Sequence, residues 1–156
     1  MALAVNTKAP LFTLKQRTAD GFADVALSDF IGKKKVVLLF FPFAFSSVCE
    51  EELCSVSGGL DQYESLNAQV LGISVDLPFA QAAFASAVGI NFPLISDFNG
   101  DVSKAYDVSY DEILGLKGVS KRSAFVIDLD GTIVYSSASD DPTVVPSFDE
   151  IKAALQ

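Results

Sequence analysis

Two cysteines, Cys49 and Cys54, are the side chains of this 156-residue sequence best suited to covalent chemistry, because the sequence contains no histidine. Without histidine there is no Ser-His-Asp or Cys-His catalytic set, and two cysteines cannot complete a four-ligand zinc site. Ser47 and Glu50 flank Cys49 in the pattern of a capping box, which predicts a helix with Ser47 as its N-cap. The unpaired N–H groups of a first helical turn favour a thiolate. The sequence therefore indicates nucleophilic thiol chemistry at Cys49.

A thiolate at Cys49 needs a nearby cation, because the glutamates at 50–52 carry like charge and disfavour it. Arg122 is the candidate, since it directly precedes an apolar segment, 124–128, that is predicted to be a strand of the same sheet. Both residues have ordinary alternatives: an isolated cysteine is more often an inert core thiol, and an isolated arginine is more often part of a surface ion pair. The glutamates and Asp97 are expected to be solvated or capping charges.

The elements that must position these residues follow from the spacing of apolar residues. The run at 36–41 is continuously apolar, which is typical of a central strand covered on both faces. Apolar residues at 53–63 recur at helical spacing, and Cys49 shares their face, so we expect its thiol to point into the protein. The other predicted elements alternate along the chain: a hairpin of 9–14 and 22–27, strands at 69–76 and 92–96, a helix at 78–88, a helical turn at 102–106, a hairpin of 123–128 and 132–136, and a closing helix capped by Ser147. This order predicts an α/β fold, a mixed β-sheet flanked by helices with an N-terminal β-hairpin, in a single domain of residues 1–156.

The charge balance argues against two classes of partner. Eleven Lys and Arg against twenty Asp and Glu give a net charge of −9, which repels both nucleic acid and an anionic membrane surface. The longest apolar run, at 36–45, is shorter than the ~18 residues that cross a bilayer, and it contains Pro42. The first residues lack the pattern of a secretory signal, and two cysteines without such a signal are typical of reduced thiols. We expect a cytoplasmic protein that binds neither nucleic acid nor membrane.

The residues that lead up to Cys49 resemble the signature of a known family. The peroxiredoxin signature P-x-x-x-(T/S)-x-x-C is similar to the segment Pro42-Phe43-Ala44-Phe45-Ser46-Ser47-Val48-Cys49. Further similar segments occur in the family's order along nearly the whole chain: Ala9-Pro10, Phe12-Thr13-Leu14, Leu27-Ser28-Asp29-Phe30, 92–97, and Arg122 with 125–128. The motif resembles the AhpE-like branch, and the spacing of the cysteines resembles the bacterioferritin comigratory, or Q, branch.

The resemblance implies a thioredoxin-like fold and a thiol-dependent peroxidase. Cys49 would attack hydrogen peroxide or an organic hydroperoxide and become a sulfenic acid, Ser46 and Arg122 would hold the thiolate and the peroxide, and Pro42 would shield the pocket. Ser46 stands where most of the family has Thr, which keeps the hydroxyl but loses the methyl group that restricts its rotamer. The resemblance also implies no metal, haem or flavin, re-reduction by thioredoxin, glutaredoxin or a small thiol, and a monomer or homodimer.

Cys54 follows Cys49 by five residues, the spacing of the resolving cysteine in the Q branch, and no further cysteine follows in this sequence. The resemblance therefore implies a Cys49–Cys54 disulfide after peroxide attack, although Cys54 also suits a small buried apolar position. On an intact helix the two Cα atoms would be about 8.6 Å apart, beyond the ~7 Å that a disulfide spans. Pairing requires the helix to unwind, which Gly58 and Gly59 would facilitate. The alternative function is a non-enzymatic peroxide sensor or redox-regulated chaperone.

Overall fold

The computed structural model describes residues 2–156. Its strands are β1 (Thr13–Thr18), β2 (Gly21–Ala26), β3 (Lys35–Phe40), β4 (Ala68–Ser74), β5 (Leu94–Ser96), β6 (Ser123–Ile127) and β7 (Ile133–Ala138). They form a seven-stranded sheet in the order β2-β1-β5-β4-β3-β6-β7. Its helices are α1 (Ser47–Gly58), α2 (Leu60–Ser65), α3 (Pro78–Val88), α4 (Asp101–Ala105) and α5 (Phe148–Ala154), and a short 3-10 helix covers Leu27–Asp29. No helix within residues 2–156 is both long enough and apolar enough to cross a membrane.

Strand β3 lies at the centre of the sheet, as its continuous apolar run predicted. It pairs in parallel with β4 and antiparallel with β6, so the sheet is mixed. Successive side chains of a strand point to opposite faces. Val37 and Leu39 accordingly join a core cluster with Leu53 of α1, whereas Val36 and Leu38 join a second cluster on the other face. The predicted α/β architecture, a mixed sheet flanked by helices, is confirmed.

Several predicted boundaries shift, each for a local physical reason. The N-terminal hairpin is present, but β1 begins at Thr13 because the preceding residues leave the sheet and the N–H of Ala9 bonds to the carbonyl of Gly131 (2.9 Å). The helical spacing at 53–63 does not belong to one helix. The N–H of Gly59 bonds back to the carbonyl of Val56 (3.2 Å), which ends α1 before α2 begins.

Two predicted helix signals are found where the sequence placed them. Helix α3 covers the expected residues and ends at Gly89, whose φ of 78° is the left-handed conformation that glycine adopts at little cost. Asp97 caps α4: its carboxylate accepts the backbone N–H groups of Val102 (3.1 Å) and Ser103 (2.7 Å). Asp97 was expected to be a solvated or a capping charge; it is the capping one, and its side chain is buried.

Between α4 and β6 the chain folds back on itself in a narrow loop at 108–121. At its tip, Ile113 and Leu116 exchange two backbone hydrogen bonds of 2.8 Å each. Nearer its base, the Tyr110 hydroxyl donates to the carbonyl of Asp140 (2.7 Å), which ties the loop to the segment that follows β7. The tip lines the same cavity as the connection from β3 to α1. The loop therefore forms one wall of the site described next.

Candidate active site

Cys49 lies fully buried in the first turn of α1, just beyond the carboxyl end of β3. The N-cap is Ser46, so the predicted N-cap at Ser47 is wrong by one position. Ser46 has the extended backbone of an N-cap (φ −78°, ψ 144°), and its carbonyl accepts the N–H of Glu50 (3.0 Å). Its hydroxyl does not cap the helix but donates to the carbonyl of Phe43 (3.1 Å). The N–H groups of the first turn thus remain available to an anion.

Asp76 holds the loop that carries the signature residues, and the sequence analysis did not single it out. The backbone N–H of Ala44 donates to Asp76 Oδ2 (2.9 Å), and the Ser74 hydroxyl donates to the same oxygen (2.7 Å). Phe45, the next residue of the loop, has a left-handed φ of 69°, and its ring packs 5.2 Å from that of Phe84. A non-glycine residue resists this conformation, so the tether and the ring contact together maintain the turn.

Arg122 is buried between three acceptors, one for each of its nitrogen atoms. Nη2 donates to Cys49 Sγ at 2.9 Å, Nη1 donates to Glu52 Oε2 at 2.8 Å, and Nε donates to the carbonyl of Pro142 at 2.8 Å. The planar guanidinium is well suited to this task because its donors diverge in a rigid fork. The cation predicted beside Cys49 is therefore in hydrogen-bond contact with the sulfur.

Glu52 is a buried member of the site that the sequence analysis missed. The glutamates at 50–52 were expected to be solvated or capping charges, which is wrong for Glu52, since only 2% of it is exposed. It lies three residues after Cys49, on the same face of α1, where both side chains meet Arg122. This spacing was the one sequence feature that could have indicated Glu52. The burial of Glu52 depends on β6, which lies far away in sequence.

Burial affects the two charged partners, Glu52 and Arg122, differently. Burial raises the pKa of Glu52 to about 7, although the charge of Arg122 and its hydrogen bond both lower it. Glu52 Oε1 is also buried without a hydrogen-bond partner among the described residues. Burial lowers the pKa of Arg122, but the attraction of Glu52 and Cys49 outweighs it and the net direction is upward. Arg122 thus stays charged, while Glu52 titrates near neutral pH.

Pro42, Ser46 and Arg122 line one cavity of about 540 Å³, so the structure brings the predicted residues together beside Cys49. Pro42 itself is buried, and Val48 is among the apolar residues that extend the lining. Residues 2–156 contain no group of three or more His, Cys, Asp or Glu side chains that would hold a metal ion. Cys49 is fully buried and does not itself line the cavity, but Arg122 does, and its guanidinium contacts the sulfur. The arrangement places a sulfur nucleophile directly behind hydrogen-bond donors at the end of a largely apolar cavity, which suits attack on a small electrophile.

Cys54 is not brought to Cys49. Both thiols are free, and both residues lie within the uninterrupted helix α1. The thiol of Cys54 is half-buried and donates to the carbonyl of Val88, near the end of α3 (3.3 Å). A disulfide between them therefore requires α1 to unwind, as the helical geometry predicted.

Comparison with known proteins identifies the family of this chain. The sequence profile of the AhpC/TSA family matches residues 5–136. The chain belongs to the AhpC/TSA family, the peroxiredoxins. This peroxiredoxin is 36% identical to alkyl hydroperoxide reductase E of Mycobacterium tuberculosis, in an alignment that covers 86% of the chain and 84% of that relative. It is also 36% identical to a chloroplastic 2-Cys peroxiredoxin of Spinacia oleracea, over 97% of the chain but only 58% of the length of that relative.

Solved structures agree with the predicted thioredoxin-like fold of this peroxiredoxin. The reduced 2-Cys peroxiredoxin of Plasmodium vivax superimposes with a TM-score of 0.86 at 32% identity, covering 97% of this chain and 79% of that one. Peroxidoxin BcpB of Mycobacterium tuberculosis gives a TM-score of 0.83 at 28% identity, over 97% of this chain and 95% of its own. The fold prediction is confirmed. The branch of the family, the monomeric or dimeric state, the single domain and the cytoplasmic location stay predictions.

Proposed function

We propose that this peroxiredoxin is a thiol-dependent peroxidase that reduces hydrogen peroxide and organic hydroperoxides, with Cys49 as its nucleophile. The observation that carries the proposal is the 2.9 Å hydrogen bond from Arg122 Nη2 to Cys49 Sγ, since Arg122 also lines a cavity of about 540 Å³. An arginine buried against a sulfur stabilises the anion that must attack. The names of the relatives support the same chemistry.

In the first step the Cys49 thiolate attacks the terminal oxygen of R–O–O–H. A sulfur–oxygen bond forms as the oxygen–oxygen bond breaks, and its electron pair leaves on RO⁻, which takes up a proton to give ROH. Cysteine is oxidised to sulfenic acid, and the peroxide is reduced by the same two electrons. Negative charge moves from sulfur to the leaving oxygen, so fixed donors near both atoms lower the barrier. We assign this role to the guanidinium of Arg122 and the hydroxyl of Ser46, with Pro42 excluding water.

In the second step Cys54 attacks the Cys49 sulfenic acid, which gives a disulfide and releases water. The helix must open for this step, since both cysteines lie within α1. Gly58, the last residue of α1, and Gly59, its C-cap, lower the cost of unwinding. A dithiol then reduces the disulfide. We propose thioredoxin first, because a Drosophila melanogaster relative that is 34% identical is named a thioredoxin-dependent peroxide reductase; glutaredoxin and small thiols are the other candidates.

The proposal is tested by intact mass after one equivalent of hydrogen peroxide, without reductant. We expect wild type to lose two hydrogen atoms as a disulfide, Cys54→Ser to gain one oxygen atom, and Cys49→Ser to stay unchanged. Wild type that stops at the sulfenic acid would make this a one-Cys peroxidase with Cys54 as a packing residue. A wild-type Cys49 that is not oxidised would overturn the proposal. Continued peroxide consumption with thioredoxin present separates an enzyme from the sensor or chaperone alternative, in which one oxidation persists.

A further inference from the structure

Gln81 is a buried glutamine of α3 whose side-chain amide has partners on one side only. The residue is 1% exposed, and its Oε1 atom has no hydrogen-bond partner among residues 2–156. Its Nε2 atom donates to the carbonyl of Ile95 at 2.9 Å and to the hydroxyl of Ser74 at 3.0 Å. The carbonyl of Ile95 can only accept, so this orientation of the amide is fixed.

Packing does not explain an amide at position 81. A buried acceptor without a donor lowers the stability of the fold. Methionine has a similar length and would fill the same space without an unpaired carbonyl. Residues that lower stability in this way are concentrated at functional sites. Gln81 does not line the cavity beside Cys49, so its effect on the reaction must pass through other residues.

The hydroxyl of Ser74 links Gln81 to Asp76 in one direction. A hydroxyl has one proton to donate, and Gln81 Nε2 can only donate, so Ser74 Oγ accepts from Gln81. The proton of Ser74 is then directed to Asp76 Oδ2, which lies 2.7 Å away. Ser74 is fully buried, which shields both bonds from solvent. The amide of Gln81 thus sets the direction of the Ser74 hydroxyl proton.

Asp76 connects Ser74 to the loop that carries the signature residues. The oxygen that accepts the Ser74 proton, Oδ2, also accepts the backbone N–H of Ala44 at 2.9 Å. The backbone of Asp76 is held as well, since its carbonyl accepts the hydroxyl of Ser96 at 2.6 Å. A chain of hydrogen bonds therefore runs from Gln81 on α3 through Ser74 and Asp76 to the signature loop.

The position of Ala44 in turn determines where Ser46 lies. Phe45 follows Ala44 with a φ of 69°, which a non-glycine residue keeps only where its surroundings hold it. Ser46 comes next, donates its hydroxyl to the carbonyl of Phe43 and is the N-cap of α1. A shift of Ala44 therefore moves the Ser46 hydroxyl relative to the sulfur of Cys49.

We propose that Gln81 is a positioning residue for the first step of the peroxidase reaction, acting through Ser74 and Asp76 on the loop that holds Ser46. The inference rests on the proposed peroxidase function and adds to it a residue outside the cavity. The chemistry of the step is unchanged, since sulfur still gains the terminal oxygen of the peroxide. Without the amide donor, the Ser74 proton can turn away from Asp76, and the carboxylate that holds the loop loses a fixed donor.

The test is a double-mutant cycle of Gln81→Met and Ser74→Ala in the Cys54→Ser background. The chain contains no tryptophan, so the oxidation of Cys49 by hydrogen peroxide is followed by rapid quenching and intact mass. We expect Gln81→Met to lower the rate constant about tenfold, since a small misplacement of a catalytic donor has effects of at least this size. Ser74→Ala interrupts the same chain and is expected to cause a similar loss.

The cycle separates positioning from damage to the fold. Because both substitutions interrupt one chain, we expect the double variant to be no more than about twofold slower than either single variant. Damage to the fold would instead lower the fraction of Cys49 that reacts and leave the rate constant unchanged. Gln69→Met is the matched control, because it removes a glutamine Nε2 that donates to the carbonyl of Val70 at 3.0 Å, outside this chain. It is expected to leave the rate constant unchanged.

An unchanged rate constant in Gln81→Met, losses that multiply in the double variant, or a loss confined to the reactive fraction would overturn the inference. An equal loss in Gln69→Met would also overturn it. If Gln81→Met does not fold, Ser74→Ala decides alone: an unchanged rate constant overturns the inference, and a lower one with a full reactive fraction supports it.

The peroxidase function is judged separately, on the Cys54→Ser background without further substitution. Oxidation of Cys49 in that background leaves the peroxidase function intact, whatever the Gln81 and Ser74 variants do. A Cys49 that does not react there overturns the peroxidase function, and this inference with it.

Discussion

The two cysteines of this peroxiredoxin lie on one helix, yet their surroundings differ. Cys49 is fully buried in the first turn of α1, and its sulfur accepts a hydrogen bond from Arg122 at 2.9 Å. Cys54 is half-buried, and its thiol donates to the carbonyl of Val88 at 3.3 Å. A guanidinium donor stabilises a sulfur anion, whereas a carbonyl can accept only from a protonated thiol. Tertiary partners, not residue type, thus distinguish the two thiols.

This difference supports a division of labour in which one thiol attacks peroxide and the other acts later. Cys49 contacts a buried arginine that is itself paired with a buried glutamate, whereas the partner of Cys54 is an uncharged backbone group. Reactive groups are often found in buried charge clusters such as the one formed by Cys49, Arg122 and Glu52. Substituting these residues one at a time tests whether the contrast between the two thiols persists.

Arg122→Lys is expected to have the largest effect. Lysine keeps the charge but loses the rigid fork that joins Cys49, Glu52 and the carbonyl of Pro142. We expect the rate of Cys49 oxidation by hydrogen peroxide, measured by rapid quenching, to fall on the order of 10²-fold. Arg17→Lys is the matched control, since Arg17 lies over the Phe22 ring and outside the site, and it should react like wild type. An Arg122→Lys variant as fast as wild type would show that charge alone suffices.

Glu52→Gln tests how much the buried carboxylate lowers the free energy of unfolding. Burial raises the pKa of Glu52 from its ordinary value of 4.5 to about 7, so the folded state holds a proton that the unfolded state releases between these values. Stability contributed by this group is therefore lost as pH rises from 4.5 to 7. Across this window we expect the unfolding free energy of wild type to fall by up to about 3 kcal/mol relative to that of Glu52→Gln.

Urea unfolding at a series of pH values measures this difference. Glu51→Gln removes the charge of the adjacent exposed glutamate and is expected to keep the pH dependence of wild type. If the curves of wild type and Glu52→Gln run parallel, Glu52 binds its proton equally well in the folded and unfolded states, and burial does not perturb the charge cluster beside Cys49.

Cys54→Ser is expected to have the smallest effect on the first step. A serine hydroxyl can donate to the carbonyl of Val88 in place of the thiol, so we expect the unfolding free energy to change by no more than about 1 kcal/mol. The rate of Cys49 oxidation should stay within about twofold of wild type. A tenfold slower first step would mean that the two thiols do not act independently, and the division of labour would fail.

Much of the fold was predictable because its signals are local. The apolar run of β3, the turn residues of both hairpins, and the Pro78 and Gly89 that bound α3 each act within a few residues. The ends of strands and helices were less predictable where a residue distant in sequence forms a hydrogen bond with the backbone. The carbonyl of Gly131 holds Ala9 away from β1, for example, and only the folded sheet brings these residues together.

For the candidate site, the signature from Pro42 to Cys49 was predictable, because those residues are consecutive and lead into one helix. The sequence also indicated Arg122, through the strand that follows. The burial of Glu52 against that arginine and the position of Leu114 beside the cavity became visible only in the folded chain. Both depend on which segments of the chain meet in space, and the sequence of one segment does not indicate which distant segments pack against it.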